Sequence, residues 1–480
     1  MKLLTDENTA FLNWVRLCDI DNYYSMDLQK QSIVIAKPLY YTSLAGLTEA
    51  SYALLEMRVD ISAQGGKYGN ALQAALIGGH DAIAKLLIEK GANVNAQGGE
   101  YENALYAASY QGNEAIAKLL IERGADVNAQ GGDYGNALQM ASNGGHEAIA
   151  KLLIENGADV NAQGGDHGNA LQAASNGGYE AIARLLIEKG ADVNAEGGDH
   201  GNALQAASNG GYEVIAKLLI EKGADVNAQG GYHGNALSVA LYQDNEAIAK
   251  LLIEKGADVN AQGGDHGNAL QAAANGGYEA IVKLLIEKGA DVNAQGGYHG
   301  NALSAALYQG NEAIAKLLIE KGADVNAQGG YSGDPLQIAS NGGYEAMAKL
   351  LIENGADVNA QGGDHGNVLQ AASNGGYEAI ARLLIEKGAD VNAEGGDHGN
   401  ALQAASNGGH EAIARLLIEK GADVNAQGGH YGNALSAALY QGNKGIAQLL
   451  IDMGAHANIM VMPDACRASG NQNMEEQGFP

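Results

Sequence analysis

The chain has 480 residues, with 28 Lys plus Arg against 56 Asp plus Glu, which gives a net charge of −28. So acidic a surface repels nucleic-acid phosphates and anionic lipid head groups, and we expect neither nucleic acid nor membrane as a partner. The two cysteines lie far apart, at Cys18 and Cys466, and no apolar run reaches the length of about 18 residues that spans a bilayer. These features predict a soluble cytoplasmic protein and leave the nucleus open.

Residues 1–36 precede the repeated part of the chain and contain the only tryptophan, Trp14. Phe11 and Leu17 lie at helical spacing from this tryptophan, on what would be one apolar face. The open end of a stacked repeat array needs a cover. We therefore predict a helical cap over 1–36.

From residue 37 onward the chain is built from thirteen repeats of 33 residues. The first repeat is degenerate, and Arg58 stands where every later repeat has a glycine after its second helix. The run NALQAA and its variants start the other twelve repeats without any insertion, at Asn70, Asn103, Asn136, Asn169, Asn202, Asn235, Asn268, Asn301, Asp334, Asn367, Asn400 and Asn433. We assign the array to 37–465, and the polar segment 466–480 is predicted to be a disordered tail.

Each repeat contains two short helical patterns. Asn at the start of NALQAA is a strong N-cap, and Gln three residues later gives the spacing of a capping box. Asp334-Pro335 supports this start, because proline is favoured at the first helical position. The second pattern, EAIAKLLIERG at 114–124, has one apolar stripe and ends at Gly124, a residue suited to a left-handed C-terminal position. The extended, glycine-rich connection to the next repeat, such as 125–135, is called the finger below.

The period, the helix pair and the run LLIERGADVNA at 119–129 resemble the ankyrin repeat. NALQAA stands where that family has TPLHxA, and the finger glycine lies one place later than usual. The resemblance extends over 37–462. It implies an all-α ankyrin-repeat solenoid and a non-enzymatic protein-interaction role, with fingers and first helices lining a concave binding face.

Within that family, the sequence pattern GGxYGNALQAAxxGG is similar to the repeats in ankyrin arrays of filamentous-fungal NACHT proteins. Those proteins are NLR-like signalling ATPases. FLNWVRL at 11–17 and PLYYTSLAGLTEA at 38–50 are similar to the stretch before those arrays. The chain has no GxxxxGK[ST] phosphate loop, so their ATP-driven switching does not carry over. The resemblance implies an alternative function: the sensor half of a non-self recognition system that acts with a separate NACHT ATPase.

Asp-His pairs recur in the fingers, as at Asp166-His167, and such pairs can bind metals or move protons. A site of that kind needs donor atoms that converge. Stacked repeats would place equivalent side chains about 8–10 Å apart, as a ladder. Tyr68 and Tyr101 also occupy the His position, and a phenol cannot replace a required imidazole. We expect no catalytic residue, no metal and no cofactor, and interpret the pairs as loop contacts or a contact row.

Copies differ mainly in the finger, the first helix and the turn after that helix. The turn reads Asn-Gly in one class of repeat, as at Asn143-Gly144, and Tyr-Gln in the other, as at Tyr242-Gln243. Exposed tyrosine is a favoured contact residue. The predicted partner-binding residues are Tyr110, Gln111, Asp166, His167, Asp199, His200, Tyr232, His233, Tyr242, Gln243, Asp265, His266, Tyr298, His299, Tyr308, Gln309, Tyr331, Asp364, His365, Asp397, His398, Tyr440 and Gln441.

The predicted function is a protein-binding scaffold. The competing explanation for the variable positions is neutral drift, since duplicated repeats tolerate change at exposed positions. The predicted partner is a protein, basic or extended and repetitive, gripped through many spaced contacts. The chain itself is predicted to be a monomer.

Overall fold

The computed structural model describes residues 37–132, 135–232, 234–264, 267–330, 333–362 and 366–456. The predicted cap over 1–36 and the predicted tail over 466–480 lie outside these residues. The chain divides after Ala257 into two compact halves, which are described separately. Together the described residues form 26 helices and isolated β-bridges, without a strand.

In each repeat an odd-numbered first helix is followed by an even-numbered second helix. In the first half these helices are α1 (Pro38–Leu44), α2 (Thr48–Glu56), α3 (Ala71–Ile77), α4 (Asp81–Glu89), α5 (Ala104–Tyr110), α6 (Glu114–Glu122), α7 (Ala137–Asn143), α8 (Glu147–Glu155), α9 (Ala170–Gly177), α10 (Glu180–Glu188), α11 (Ala203–Gly210), α12 (Glu213–Glu221), α13 (Ala236–Tyr242) and α14 (Glu246–Glu254).

The second half continues the same alternation. Its helices are α15 (Ala269–Gly276), α16 (Glu279–Glu287), α17 (Ala302–Tyr308), α18 (Glu312–Glu320), α19 (Pro335–Gly342), α20 (Glu345–Glu353), α21 (Val368–Gly375), α22 (Glu378–Glu386), α23 (Ala401–Gly408), α24 (Glu411–Glu419), α25 (Ala434–Gln441) and α26 (Lys444–Asp452). No described helix combines the length and the apolar character that a bilayer crossing requires.

The predicted capping box is confirmed in six of the described first helices, α7, α9, α11, α15, α19 and α21, and α9 shows its geometry. The Gln172 backbone N–H donates to Asn169 Oδ1 at 2.9 Å, and the Asn169 backbone N–H donates to Gln172 Oε1 at 2.7 Å. Both side chains are buried, as are Leu171 and the alanines of the helix. The box therefore satisfies two backbone donors that would otherwise be lost inside the array.

The second helices carry the core stripe and are two residues shorter than the predicted 114–124. In α6 the helix ends at Glu122, and Gly124 follows in the left-handed region with φ 84°. In the degenerate first repeat Arg58 adopts this conformation, with φ 56°. Ile116 and Leu120 are fully buried. Neighbouring repeats thus share a continuous apolar core within each half.

Fingers are tied to each other by a ladder of Asn and Asp side chains. Asn128 Nδ2 donates to the Gly157 carbonyl at 3.1 Å, and the Asp159 backbone N–H donates to Asn128 Oδ1 at 2.8 Å. The Asn161 backbone N–H in turn donates to Asp159 Oδ1 at 2.9 Å. The same ties recur at the same offsets in later repeats of both halves. The ladder holds successive fingers in register.

Candidate partner-binding surface

The turn tyrosines of the Tyr-Gln repeats are exposed at the ends of their first helices. The first helices bury Leu and Ala, so a large side chain on the last turn projects beyond the core. The exposed fractions are 45% for Tyr110, 48% for Tyr242, 51% for Tyr308 and 45% for Tyr440. These tyrosines and the finger tips are called the finger–helix surface below.

Each of three turn tyrosines packs against the ring that lies nine residues earlier in its own finger. Ring centroids are 5.0 Å apart for Tyr101 and Tyr110, and 4.7 Å apart for His299 and Tyr308. The distance is again 5.0 Å for Tyr431 and Tyr440. Such pairs hold an exposed ring in place before any partner arrives. Burial and the hydrogen bond with Tyr110 raise the pKa of Tyr101, so this phenol stays neutral.

Finger tips contribute a second set of exposed side chains. Tyr232 is 77% exposed and Tyr298 is 57% exposed. Asp166, Asp199 and Asp397 are exposed as well, whereas the histidines that follow them are half-buried. Neighbours within an Asp-His pair therefore face different surroundings, and the carboxylates are the more exposed members of these pairs.

The histidines of adjacent fingers lie closer together than the predicted 8–10 Å. The rings of His167 and His200 stack with centroids 6.2 Å apart and an interplanar angle of 13°. Burial lowers the pKa of His167, and repulsion from His200 lowers it further. Among the described residues no group of three or more His, Cys, Asp or Glu is arranged to hold a metal ion.

The turn glutamines bind the preceding repeat. Gln243 Nε2 donates to Asn209 Oδ1 at 2.8 Å, and Gln309 Nε2 donates to Asn275 Oδ1 at 2.9 Å. Gln441 and Gln111 make the corresponding bonds, to Asn407 Oδ1 at 2.8 Å and to the Ile77 carbonyl at 3.2 Å. These amides therefore hold the turn against the preceding repeat. The sequence predicted these glutamines as partner-binding residues and did not predict this structural role. A direct contact with a partner stays a prediction.

Six predicted contact residues lie outside the described residues, so the structure does not place them. They are His233, Asp265, His266, Tyr331, Asp364 and His365.

The charge of the finger–helix surface comes from the fingers. The described first helices, α1 included, contain no Asp, Glu, Lys or Arg. Lys67 and Glu100, on adjacent fingers, form an ion pair of 3.0 Å. Farther along, the finger carboxylates of Asp166, Asp199 and Asp397 make the surface acidic. This arrangement can attract cationic groups and, through the tyrosines, bury apolar ones.

The chain belongs to the ankyrin-repeat family. The family model for ankyrin repeats (3 copies) matches residues 39–131, 105–197, 196–263, 237–329, 270–362, 329–395 and 368–461. Ankyrin repeats are protein-interaction modules and are typically non-enzymatic, which agrees with the function predicted from the sequence.

The chain is also similar to azaphilone pigments biosynthesis cluster protein L from Monascus ruber. The two are 38% identical over 99 residues, which is 18% of this chain and 20% of the relative. The match therefore spans about a fifth of that relative's length. The resemblance to NACHT arrays is not tested by either similarity and stays a prediction.

Proposed function

We propose that the chain binds a protein partner along the finger–helix surface, with the tyrosines of the Tyr-Gln repeats as the main contacts. The observation that carries this proposal is the repeated pairing of an exposed turn tyrosine with a finger ring, as in Tyr308 on His299 at 4.7 Å. A ring that is exposed but already held loses little side-chain entropy on binding. Rigid aromatic side chains of this kind dominate the binding energy of many interfaces.

The second helices offer a different surface. Their exposed faces carry pairs such as Arg382 and Glu378, whose side chains lie 2.7 Å apart and are about half exposed. Pairs of this kind neutralise each other and contribute little to binding or stability. Exposed tyrosines therefore favour the finger–helix surface as the place where a partner binds.

The partner we propose is an extended chain with basic side chains. Finger carboxylates recur along the surface, so a long partner can make similar contacts in successive repeats. Each contact after the first is intramolecular, which raises the overall affinity without any single strong site. The monomeric state and the cytoplasmic location of the chain stay predictions.

Exchanging the turns tests the proposal. In one variant Tyr242, Tyr308 and Tyr440 become Asn, and the glutamine after each becomes Gly, so that three turns carry the residues of the other class. Peptides selected from a random library against the intact chain serve as probes. We expect the exchange to weaken their binding by about tenfold or more, a loss of about 1.4 kcal/mol. Equal binding by the exchanged and intact chains would contradict the proposal.

Deletion of whole repeats provides a matched comparison. Removing 232–330 deletes two Tyr-Gln repeats and one Asn-Gly repeat, whereas removing 133–231 deletes three Asn-Gly repeats of the same total length. Both deletions preserve the repeat register. We expect the first deletion to weaken peptide binding more than the second.

The alternative function is the sensor half of an NLR-like system. Its support is the similarity of residues 11–17 and 38–50 to the stretch before the ankyrin arrays of fungal NACHT proteins. It predicts a phosphate loop in a reading frame upstream of the one that encodes this chain. An upstream region without such a loop would count against it.

A further inference from the structure

A small cavity lies in the first half, where two fingers meet the first helices α11 and α13. It has a volume of about 60 Å³. Its lining residues are Asp199, His200, Gln205, Asn209, Tyr232 and Val239. These residues come from two successive repeats, the first of the Asn-Gly class and the second of the Tyr-Gln class.

The floor and one wall of the cavity are held rigidly. Val239 is 5% exposed and Gln205 is 1% exposed. Gln205 Nε2 donates to the carbonyls of Gly230 at 3.0 Å and Gly234 at 2.9 Å. Asn209 Oδ1 accepts the 2.8 Å bond from the Gln243 amide. The cavity is therefore part of the packed repeat junction and is formed before a partner binds.

The mouth of the cavity combines a ring and a carboxylate. Tyr232 is 77% exposed, and Asp199 is exposed on the preceding finger tip. The Asp199 backbone N–H donates to the Asp166 carbonyl at 2.9 Å, which fixes the finger that carries this carboxylate. Both groups can attract a cation, the ring through its quadrupole and the carboxylate through its charge.

The volume restricts what can enter. Pockets for cofactors and drug-sized ligands enclose roughly 300–1,000 Å³, several times more than this cavity. One water molecule needs about 10–15 Å³ measured in the same way, so the space suits the end of one side chain. Val239 offers an apolar contact for methylene groups, while the mouth offers a partner for a positive charge. Arginine combines such a stem with a planar cation that stacks on aromatic rings.

We infer that this cavity is a subsite for one arginine side chain of the extended basic partner. The inference rests on the proposed function, since it names one contact of the same surface. The neighbouring junction shows why the subsite is local: there Asp199 and Ala206 occupy the positions of Tyr232 and Val239. That junction lacks both the ring and the larger apolar floor.

Methyl NMR of Val239 in the full-length chain tests the subsite directly. The probes are N-acetyl-arginine methylamide and the citrulline analogue, which has nearly the same shape and no charge. We expect saturable shifts of the Val239 methyl signals with arginine and binding at least about tenfold weaker with citrulline, as for the loss of about 1.4 kcal/mol. Absence of saturable shifts, or equal shifts from both probes, would overturn the inference.

Two substitutions and one control localise the effect. Tyr232→Ala removes the ring without adding charge, and Asp199→Asn removes the carboxylate charge. Each should weaken arginine binding about fivefold, the size of one cation–π or exposed ionic contact. Tyr298→Ala makes the same change in another finger and should leave the Val239 shifts intact. Arginine binding that survives both Tyr232→Ala and Asp199→Asn contradicts the subsite.

These outcomes are independent of the turn-exchange experiment. If arginine shifts Val239 but selected peptides ignore the turn tyrosines, the subsite holds and the proposed main contacts are wrong. If selected peptides need the turn tyrosines but arginine leaves Val239 unchanged, the surface holds and the subsite is wrong.

Discussion

The repeats that contain α11 and α13 have the same pair of helices, but they contact the preceding repeat through different side chains. In the Asn-Gly repeat Tyr212 stands just before the second helix, and its ring packs over Gly178 in the turn of the preceding repeat. In the Tyr-Gln repeat Asn245 occupies that position, and its amide donates to the Ser208 carbonyl at 2.8 Å. Gln243 adds the bond to Asn209. One class ties itself to its neighbour with a ring, the other with two amides.

This difference shows how a repeat can expose an aromatic side chain and still keep its contact with the preceding repeat. Tyr212 is half-buried because it forms the tie, whereas Tyr242 is 48% exposed because amides form the tie instead. Both classes thus place a tyrosine near the same turn, at opposite ends of it. The Tyr-Gln class is the one that presents the ring to a partner.

The largest effect should come from filling the space that the Tyr212 ring occupies. Gly178 has φ 77°, and a Cβ atom there would lie 2.3 Å from the Tyr212 ring. We expect Gly178→Ala to lower the local unfolding free energy by about 3 kcal/mol, from left-handed strain and overpacking together. Hydrogen exchange of the amides in α9 to α12 measures this loss.

A matched glycine separates the two causes. Gly223 has φ 90°, and a Cβ atom added there would meet no other atom within 4 Å. Gly223→Ala should therefore cost only the strain, about 1 kcal/mol. Adding Tyr212→Ala to Gly178→Ala should recover part of the larger loss. Equal losses at the two glycines would show that the ring does not form the tie.

The second effect concerns the finger that follows each repeat. Gln205 donates to two carbonyls of the next finger and accepts the Asn202 backbone N–H at 2.8 Å. Ser238 stands at this position in the Tyr-Gln repeat. We expect Gln205→Ala to cost about 2 kcal/mol, because it leaves buried backbone groups unpaired. Ser238→Ala should cost about 0.5 kcal/mol or less, measured by hydrogen exchange in the fingers.

A third prediction concerns the one capping carboxylate among the described first helices. Asp334 is 3% exposed, and burial raises its pKa above the ordinary value of 3.8. Its Oδ2 has no hydrogen-bond partner, whereas Asn301 Nδ2 donates to the Gln328 carbonyl at 3.3 Å. An amide can donate here and an ionised carboxylate cannot. We expect Asp334→Asn to stabilise the chain by about 1 kcal/mol at neutral pH.

The pH dependence of that gain follows from the raised pKa. The folded chain favours the protonated carboxyl, so the stability that Asp334 contributes is complete below pH 3.8 and is lost as pH rises through its folded pKa. The advantage of Asn should therefore appear above that pKa and fade below pH 3.8. Denaturant unfolding at several pH values measures it, and a constant difference would refute the assignment.

The smallest effect should be seen in the stacked histidines. His200→Tyr introduces a residue that other fingers carry at this position and removes the repulsion on His167. The pKa of His167 should then rise toward its ordinary value of 6.5 without reaching it, because burial remains. In the intact chain the stack should weaken as pH falls below 6.5, since the lowered pKa favours neutral His167. NMR titration of the imidazole signals tests both statements.

The features predicted well from the sequence are those that depend on residues close together in the chain. Asn169 and Gln172 form the expected capping box because they are three residues apart, and Gly124 takes the expected left-handed conformation. The all-α ankyrin solenoid was predicted from the 33-residue period, the helix pair and the resemblance of LLIERGADVNA at 119–129 to the ankyrin repeat. The family model agrees over 39–461.

The features that were missed depend on pairs of repeats. Gln243 and its acceptor Asn209 are 34 residues apart, so the turn sequence alone does not show that the amide is engaged. The second role of Gln205, as a donor to the next finger, is hidden for the same reason. The spacing of His167 and His200 was overestimated, because adjacent fingers lie closer together than packed helices: the Asp199 backbone N–H donates to the Asp166 carbonyl at 2.9 Å.

The Asn–Asp ladder of the fingers makes the structure tolerant of a change in the number of repeats. Asn128 and Asn161 use the same atoms on partners at the same offsets, so each finger can recognise any neighbour of its kind. A recombination event that adds or removes 33 codons leaves every rung with an equivalent partner. The ladder would therefore accept a change in the number of repeats at little cost in folding.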